Sequence, residues 1–200
     1  MRCPSCPNRR PPVRWALVGD DVIDPSGRAR PLDLALPGRA NRSNAVIAFA
    51  VAEVFGISVT QAMDPVRQVK SVAGRYTQVE RHGTALRLLL AKNPAGWLEA
   101  LDVLVPPPVP VLLAVNAQTP DGKDTSWLWD VDYRRLRGRP VFVAGERKLD
   151  LAVRLEADEV AFRMADGIDE AIAAARSPSM EVIANYTAFQ QIRAALGRVG

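Results

Sequence analysis

From residue 86 onward the chain alternates short apolar runs with stretches of helical periodicity, and this restricts its possible folds more than any other feature. Strand-like pieces fall at 86–91, 109–115, 141–144, 160–162 and 181–184. Helical pieces fall between them at 95–104, 127–136, 149–155 and 168–176, with a last one at 188–196. Strand–helix alternation of this kind predicts an α/β fold with a mostly parallel sheet and right-handed crossovers. The run Pro106-Pro107-Pro108 reads as a stiff loop before a buried strand. In open sheets, ligands gather at the C-terminal ends of the strands. Three unusual segments are predicted there: Lys92-Asn93-Pro94-Ala95-Gly96, the stretch from Asn116 to Asp130, and Asn185-Tyr186-Thr187.

The first part of the chain reads differently. Residues 1–37 are rich in proline, arginine and glycine, with strand-like pieces at 14–18 and 21–23 and a Pro25-Ser26-Gly27 turn. Leu32, Leu34 and Leu36 alternate with Asp33 and Ala35, the pattern of a half-buried strand. The spacing then predicts a helix over 44–55, with Val46, Phe49, Ala50 and Val54 on one face. Ser58-x-x-Gln61 resembles a capping box opening a second helix, and Pro65 should kink or break it. A hairpin is expected from 76–81 and 85–91 around His82-Gly83.

Hydrophobic residues make up 48% and charged residues 24%, which is an ordinary globular balance. No window approaches the roughly 18 apolar residues of a membrane span, and the N-terminus has no signal-peptide core, so a cytoplasmic protein is expected. The net charge of +4 suits anionic ligands and a solvated surface alike. Cys3 and Cys6 form a C-x-x-C among prolines that forbid the helix a redox motif needs. The pair matches a zinc-ribbon knuckle, but structural zinc takes four ligands and the chain supplies two cysteines. His82 is the only histidine and lies in the predicted turn, so a self-contained Ser-His-Asp or Cys-His catalyst is not expected. The chain also has no G-x-x-x-x-G-K-[ST] phosphate loop.

Each remaining segment carries a functional and a bland reading. Asn41 and Asn44 are three residues apart at a helix start, where their amides could read a purine edge or simply cap the helix. Arg75, after Gly74, could reach phosphates or lie on the surface. Lys92 and Asn93 could meet phosphate and carbonyl oxygens, or form a strand-to-helix turn with Pro94 in the first helical turn. The stretch from Asn116 to Asp130 crowds Asp121, Asp124 and Asp130 with Trp127 and Trp129, which suggests a binding surface. The bland reading is a helix capped by Thr125 or Ser126, with the tryptophans in the core.

Taken in order, these segments resemble the Mur-ligase-like (MurT-type) subunit family of lipid II isoglutaminyl synthase. The most specific stretches are Lys92-Asn93-Pro94-Ala95-Gly96, the run from Asp121 to Asp130, and Asn185-Tyr186-Thr187-Ala188. The resemblance covers nearly the whole chain and implies an N-terminally truncated protein. Residues 1–37 would be a remnant of a zinc-ribbon insertion with adjoining strands, and 38–84 the end of a Mur ligase central ATPase domain. Residues 85–200 would be a Rossmann-like C-terminal α/β domain. The family implies ATP, Mg2+ and structural Zn2+, with Cys3 and Cys6 as half of the zinc site. Asn41, Asn44, Arg75, Lys92 and Asn93 would face the nucleotide. A class I glutamine amidotransferase-like partner would supply ammonia, and an aspartate of this chain would complete its Cys-His pair. Asp124 is favoured for that role over Asp121 and Asp130. The substrate would be lipid II at the inner face of the membrane, with no nucleic acid involved. The sequence departs from the family in lacking a phosphate loop, magnesium ligands and the first ribbon cysteines. Leu89-Leu90-Ala91 also stands where Mur ligases carry an aspartate before Asn-Pro, and Pro7 stands where a knuckle often has glycine.

Two other readings compete. One is a non-catalytic scaffold that docks the amidotransferase. The other is a zinc-ribbon nucleic-acid binder, which leaves the later motifs unexplained.

Overall fold

The computed structural model describes residues 5–7, 9, 11–72 and 75–197. The chain divides into two compact units, one up to Lys70 and one from Ser71.

The first unit holds an antiparallel meander of β1 (Ala16–Val18), β2 (Asp21–Ile23) and β3 (Ala29–Pro31). Asp24 organises the turn between β2 and β3. Its Oδ1 accepts from the amides of Ser26 and Arg28, and its Oδ2 from Arg30 Nε. The Ser26 hydroxyl and these other donors hold its carboxyl at about 2, below the ordinary 3.8. Leu32 and Leu34 pack inward as their alternation predicts, but 32–36 is not a strand; strand pairing stops at Pro31. Helix α1 (Arg39–Val54) starts five residues before the expected position and buries Ala45, Val46 and Phe49. Val54, expected on that face, lies in the last turn of the helix and is 82% exposed. Helix α2 (Val59–Arg67) opens on a complete capping box, the Ser58 side chain and Gln61 satisfying each other's amides. It runs through Pro65 and ends two residues later.

The second unit is one six-stranded sheet in the order β4-β5-β9-β6-β7-β8. Its strands are β4 (Tyr76–Arg81), β5 (Thr84–Leu90), β6 (Val111–Ala114), β7 (Val141–Ala144), β8 (Arg163–Met164) and β9 (Ser179–Ala184). Only β4 runs antiparallel to its neighbour. The boundary drawn from sequence at 84–85 falls inside the β4–β5 hairpin, and both strands belong to this sheet. Helices α5 (Ile168–Ala175) and α6 (Tyr186–Leu196) cover one face, where Leu88, Leu112, Val182 and Phe189 are buried. Helices α3 (Pro94–Asp102) and α4 (Lys148–Ala157) bury Trp97, Leu101, Leu151 and Leu155. Strands β6 and β7 are buried at every position, the mark of parallel strands covered on both faces.

Two expectations fail here. Residues 127–136 are not one helix but two 3-10 turns, Ser126–Asp130 and Arg134–Leu136. Between them the Val131 carbonyl accepts from Arg154 Nη2 and the Tyr133 amide donates to Asp158, so these groups are withdrawn from any helical ladder. Val131 and Tyr133 are fully buried. The strand expected at 160–162 lies instead at Arg163–Met164, where it pairs with Phe142 and Val143 of β7.

Candidate functional site

The register puts four strand ends on one line. Leu90 pairs with Ala184, Ala184 with Ala114, and Ala114 with Ala144. The backbone ladder continues one residue past each pair, from Ala91, Asn185 and Val115. The next residues of the four strands therefore emerge side by side: Lys92-Asn93 after β5, Asn185-Tyr186 after β9, Asn116 after β6, and Gly145-Glu146 after β7. All three segments singled out in the sequence meet at this edge.

Asn116 is its centre and is 1% exposed. Its backbone exchanges two hydrogen bonds with Asn185, donating to Oδ1 at 3.0 Å and accepting from Nδ2 at 2.6 Å. Its own amide donates to Gln191 Oε1 at 2.9 Å and accepts from the Glu146 amide at 2.9 Å. Every polar atom of a buried side chain is thereby used, as burial demands. Gly145 lets the chain turn this tightly. It has φ 95°, and a Cβ there would lie 2.4 Å from the Val115 carbonyl. Sequence reading passed over Gly145, Glu146 and Gln191; the available signal was that Gly145 directly follows an apolar run.

The segment after Asn116 is tied back to this network. Gln118 Nε2 donates to Glu146 at 2.6 Å, and Asp121 accepts from the Thr187 amide at 3.0 Å, from the Thr187 hydroxyl and from the Gln118 amide at 3.3 Å. Asp124 and Asp130 are exposed. Asp124 Oδ1 accepts from the Ser126 amide at 2.8 Å, and this bond holds its carboxyl below the ordinary carboxylate range. Asp124, rather than the side chain of Thr125 or Ser126, thus caps the 3-10 turn. Half-buried Trp127 meets buried Trp97 at 5.7 Å, while Trp129 is 58% exposed. Arg154 lies 5.1 Å from the centre of the Trp129 ring and is also paired with buried Asp158. Burial pushes the Asp158 carboxyl up, but bonds from Arg154 and the Tyr133 amide outweigh it and leave it anionic. Beside Asp124 a hollow of about 300 Å3 is lined by Thr125, Ser126, Leu128, Trp129, Arg147, Asp150 and Val153. The outward side of this segment therefore combines an exposed anion with an exposed aromatic.

The residues expected to meet a nucleotide are distributed over both units. Asn41 is in the first turn of α1, where its amide donates to the Pro37 carbonyl at 2.6 Å, and Asn44 is exposed one turn on. Gly38, not an asparagine, occupies the cap position. Arg75 is exposed, and Gly74 lies outside the described residues. Asn93 caps α3 by accepting from the Gly96 amide at 2.9 Å, with Pro94 following, as the bland reading required. Lys92 is exposed, its Nζ 4.6 Å from the centre of the Tyr186 ring. Of the cysteines, Cys6 is exposed and Cys3 lies outside the described residues. Among the described residues no group of three or more His, Cys, Asp and Glu side chains could hold a metal. The described residues therefore give no support to the structural zinc expected from the sequence.

Residues 90–189 match the family model for the MurT ligase C-terminal domain. The chain belongs to the MurT ligase C-terminal family. It is 28% identical over 167 residues to the MurT subunit of lipid II isoglutaminyl synthase (glutamine-hydrolyzing) from Streptococcus pneumoniae, covering 76% of this chain and 36% of that protein. The same-named subunit from Staphylococcus aureus is 29% identical over 133 residues, covering 64% and 30%. The chain thus spans about a third of the length of the curated relatives it matches. Among solved structures, a UDP-N-acetylmuramoylalanyl-D-glutamyl-2,6-diaminopimelate–D-alanyl-D-alanyl ligase from Acinetobacter baumannii superposes with a TM-score of 0.63. It has 17% identity and is matched over 92% of this chain and 43% of its own. The MurF ligase from Thermotoga maritima in complex with ADP has a TM-score of 0.62 at 14% identity, over 92% and 45%. These likenesses establish the Mur ligase fold. The family match contains the strand-end network from Lys92 to Thr187, with Gln191 two residues beyond it. No described helix is long and apolar enough to cross a membrane.

Proposed function

We propose that this chain is the C-terminal part of a ligase subunit that amidates the D-glutamate α-carboxylate of the lipid II stem peptide, using ATP and glutamine. The reading rests on the family match across residues 90–189. A carboxylate lacks a usable leaving group. ATP supplies the phosphoryl group that provides one, ADP departing; ammonia then attacks the acyl carbon, the amide forms, and inorganic phosphate and a proton leave. A class I glutamine amidotransferase-like partner releases that ammonia from glutamine, leaving glutamate. The complex works in the cytoplasm, at the membrane face where lipid II is presented.

In this reading the chain contributes in two places. At the strand-end network, Lys92 sits exposed above Tyr186 and offers a cation to phosphate oxygens, assisted by Mg2+ held elsewhere in the enzyme. Arg75 contributes to the phosphate contacts and Asn93 shapes the turn that presents Lys92; on the first unit, taken by itself, Asn41 and Asn44 are the adenine contacts that the family resemblance implies. Nothing in the 200 residues cradles the phosphates as a glycine-rich loop does, so the chain alone is expected not to hydrolyse ATP. On the outward side, Asp124 completes the partner's Cys-His pair. An anion that accepts from the second ring nitrogen fixes the imidazole tautomer and stabilises the imidazolium. An exposed aspartate is anionic near neutral pH, and the Ser126 amide favours that form further.

The test is glutamine-dependent amidation of lipid II by the complex of ligase subunit and amidotransferase, with and without Asp124→Asn. We expect glutaminase and amidation rates to fall by about 100-fold or more while the partner still binds, since mis-oriented histidines in such triads cost up to about 10,000-fold. Full activity in the variant would move the role to Asp121 or Asp130. Binding of the partner by wild type without any amidation would favour a scaffold that only docks the amidotransferase.

A further inference from the structure

Asn185 occupies the N-cap of α6 and is of a residue type that caps helices well, yet it makes no capping bond. Its amide is committed to the backbone of Asn116 instead. The first turn of α6 is capped from elsewhere. The amide of Thr187, second residue of the helix, donates to Asp121 Oδ1 at 3.0 Å, and the Thr187 hydroxyl donates to Oδ2. A carboxylate here also meets the positive end of the helix dipole. The same Oδ2 accepts from the Gln118 amide, and the Asp121 amide returns a bond to the Gln118 carbonyl at 2.9 Å. One carboxylate therefore closes the 118–121 turn and caps a helix that begins 65 residues later.

Both oxygens of Asp121 are occupied, and Thr187 is 8% exposed. Three residues further on, Asp124 stands exposed. We propose that Asp121 and Thr187 are a positioning pair. They anchor the base of the 118–124 segment to α6, so that Asp124 is presented outward at a set height above the strand ends. This rests on the reading of Asp124 given above and removes Asp121 from the candidates for the orienting acid. The arrangement also joins the two halves of the site. Tyr186, which carries Lys92 over its ring, is the residue before Thr187, so one helical turn holds both the basic edge and the acidic segment.

The experiment compares Thr187→Val, Thr187→Ser, Asp121→Asn and Asp124→Asn in two measurements. The first is amide hydrogen exchange of residues 118–124 in the chain alone. The second is the glutaminase kcat and the KM for glutamine of a class I amidotransferase saturated with the chain. Thr187→Val removes only the hydroxyl donor and is expected to speed exchange by about tenfold, the usual scale of a lost cap. It should lower kcat by a similar factor with KM unchanged, and Thr187→Ser should restore both. Asp121→Asn should act like Thr187→Val, and Asp124→Asn should lose kcat without faster exchange. Unchanged exchange in Thr187→Val would overturn the proposal, as would full kcat there while Asp124→Asn is inactive. Full kcat in Asp124→Asn would instead overturn the orienting role of Asp124, and the presenting role of the pair with it.

Discussion

The unit up to Lys70 and the unit from Ser71 are held together by different means. In the first, a small cluster around Phe49 is buried between a three-stranded meander and two helices, while Ile47, Val51, Val54 and Phe55 all remain more than half exposed. Much of its order comes from local polar hubs: Asp24 in one turn, and the Ser58–Gln61 capping box. In the second, whole strands are buried on both faces, and hydrogen bonds between residues far apart in sequence fasten the strand ends. Local hubs set turns and helix starts, at about 1 kcal/mol each. Layered burial contributes roughly 25 cal/mol per Å2 of apolar surface and is what lets a buried polar network such as that of Asn116 be held without strain. A precise site is therefore expected on the second unit, and the family match coincides with it.

The largest effect that could break this comparison is a core truncation in each unit. Phe49→Ala should cost about 3–5 kcal/mol and Leu113→Ala about 2–5 kcal/mol. Because the first cluster is small, Phe49→Ala should abolish amide protection in β1–β3 and α1 and leave β5, β6 and β9 protected. Simultaneous loss in both units by hydrogen exchange would mean one cooperative transition, and the contrast would fail.

Next in size is a pair of glycines. Gly27 and Gly145 both have positive φ, at 81° and 95°, but an added Cβ meets nothing at Gly27 and meets the Val115 carbonyl at Gly145. Gly27→Ala should therefore cost only the backbone strain, about 1–2 kcal/mol. Gly145→Ala should cost about 3 kcal/mol or more, since β6 must also shift. Urea midpoints compare them; equal losses would show that the strand-end packing is looser than described.

The smallest effect is in pH dependence, and its sign differs between two carboxyls. Asp24 titrates at about 2 against an ordinary 3.8, so its contribution is complete above 3.8 and is lost as pH falls through 2. Asp24→Asn should flatten the acid limb of unfolding of the first unit. Glu181, in the second, is pushed up by burial, against the pull of its partner Arg87. The folded state holds that proton longer, so this contribution is complete below the ordinary 4.5 and declines as pH rises through the raised value. Melting temperatures of Asp24→Asn and Glu181→Gln against pH, compared with wild type, would expose the opposite slopes. Parallel slopes would refute the assignment.

How much of this was legible beforehand depended on the range of the interaction. The hairpin, the capping box and the sheet class follow from local pattern, because periodicity and turn chemistry act within a few residues. The helix expected at 127–136 failed because its backbone bonds go to Arg154 and Asp158, more than 20 residues away, where no local propensity reports them. The same holds for the site. Sequence alone brought forward Lys92, Asn93, Asp121, Asp124 and Asn185 as unusual residues after apolar runs. Tertiary structure alone decided that Asn185 binds Asn116 rather than its own helix, that Asp121 faces Thr187, and that Asp124 faces solvent. The register of parallel strands made those choices by bringing distant strand ends level, and register is a property of the whole sheet.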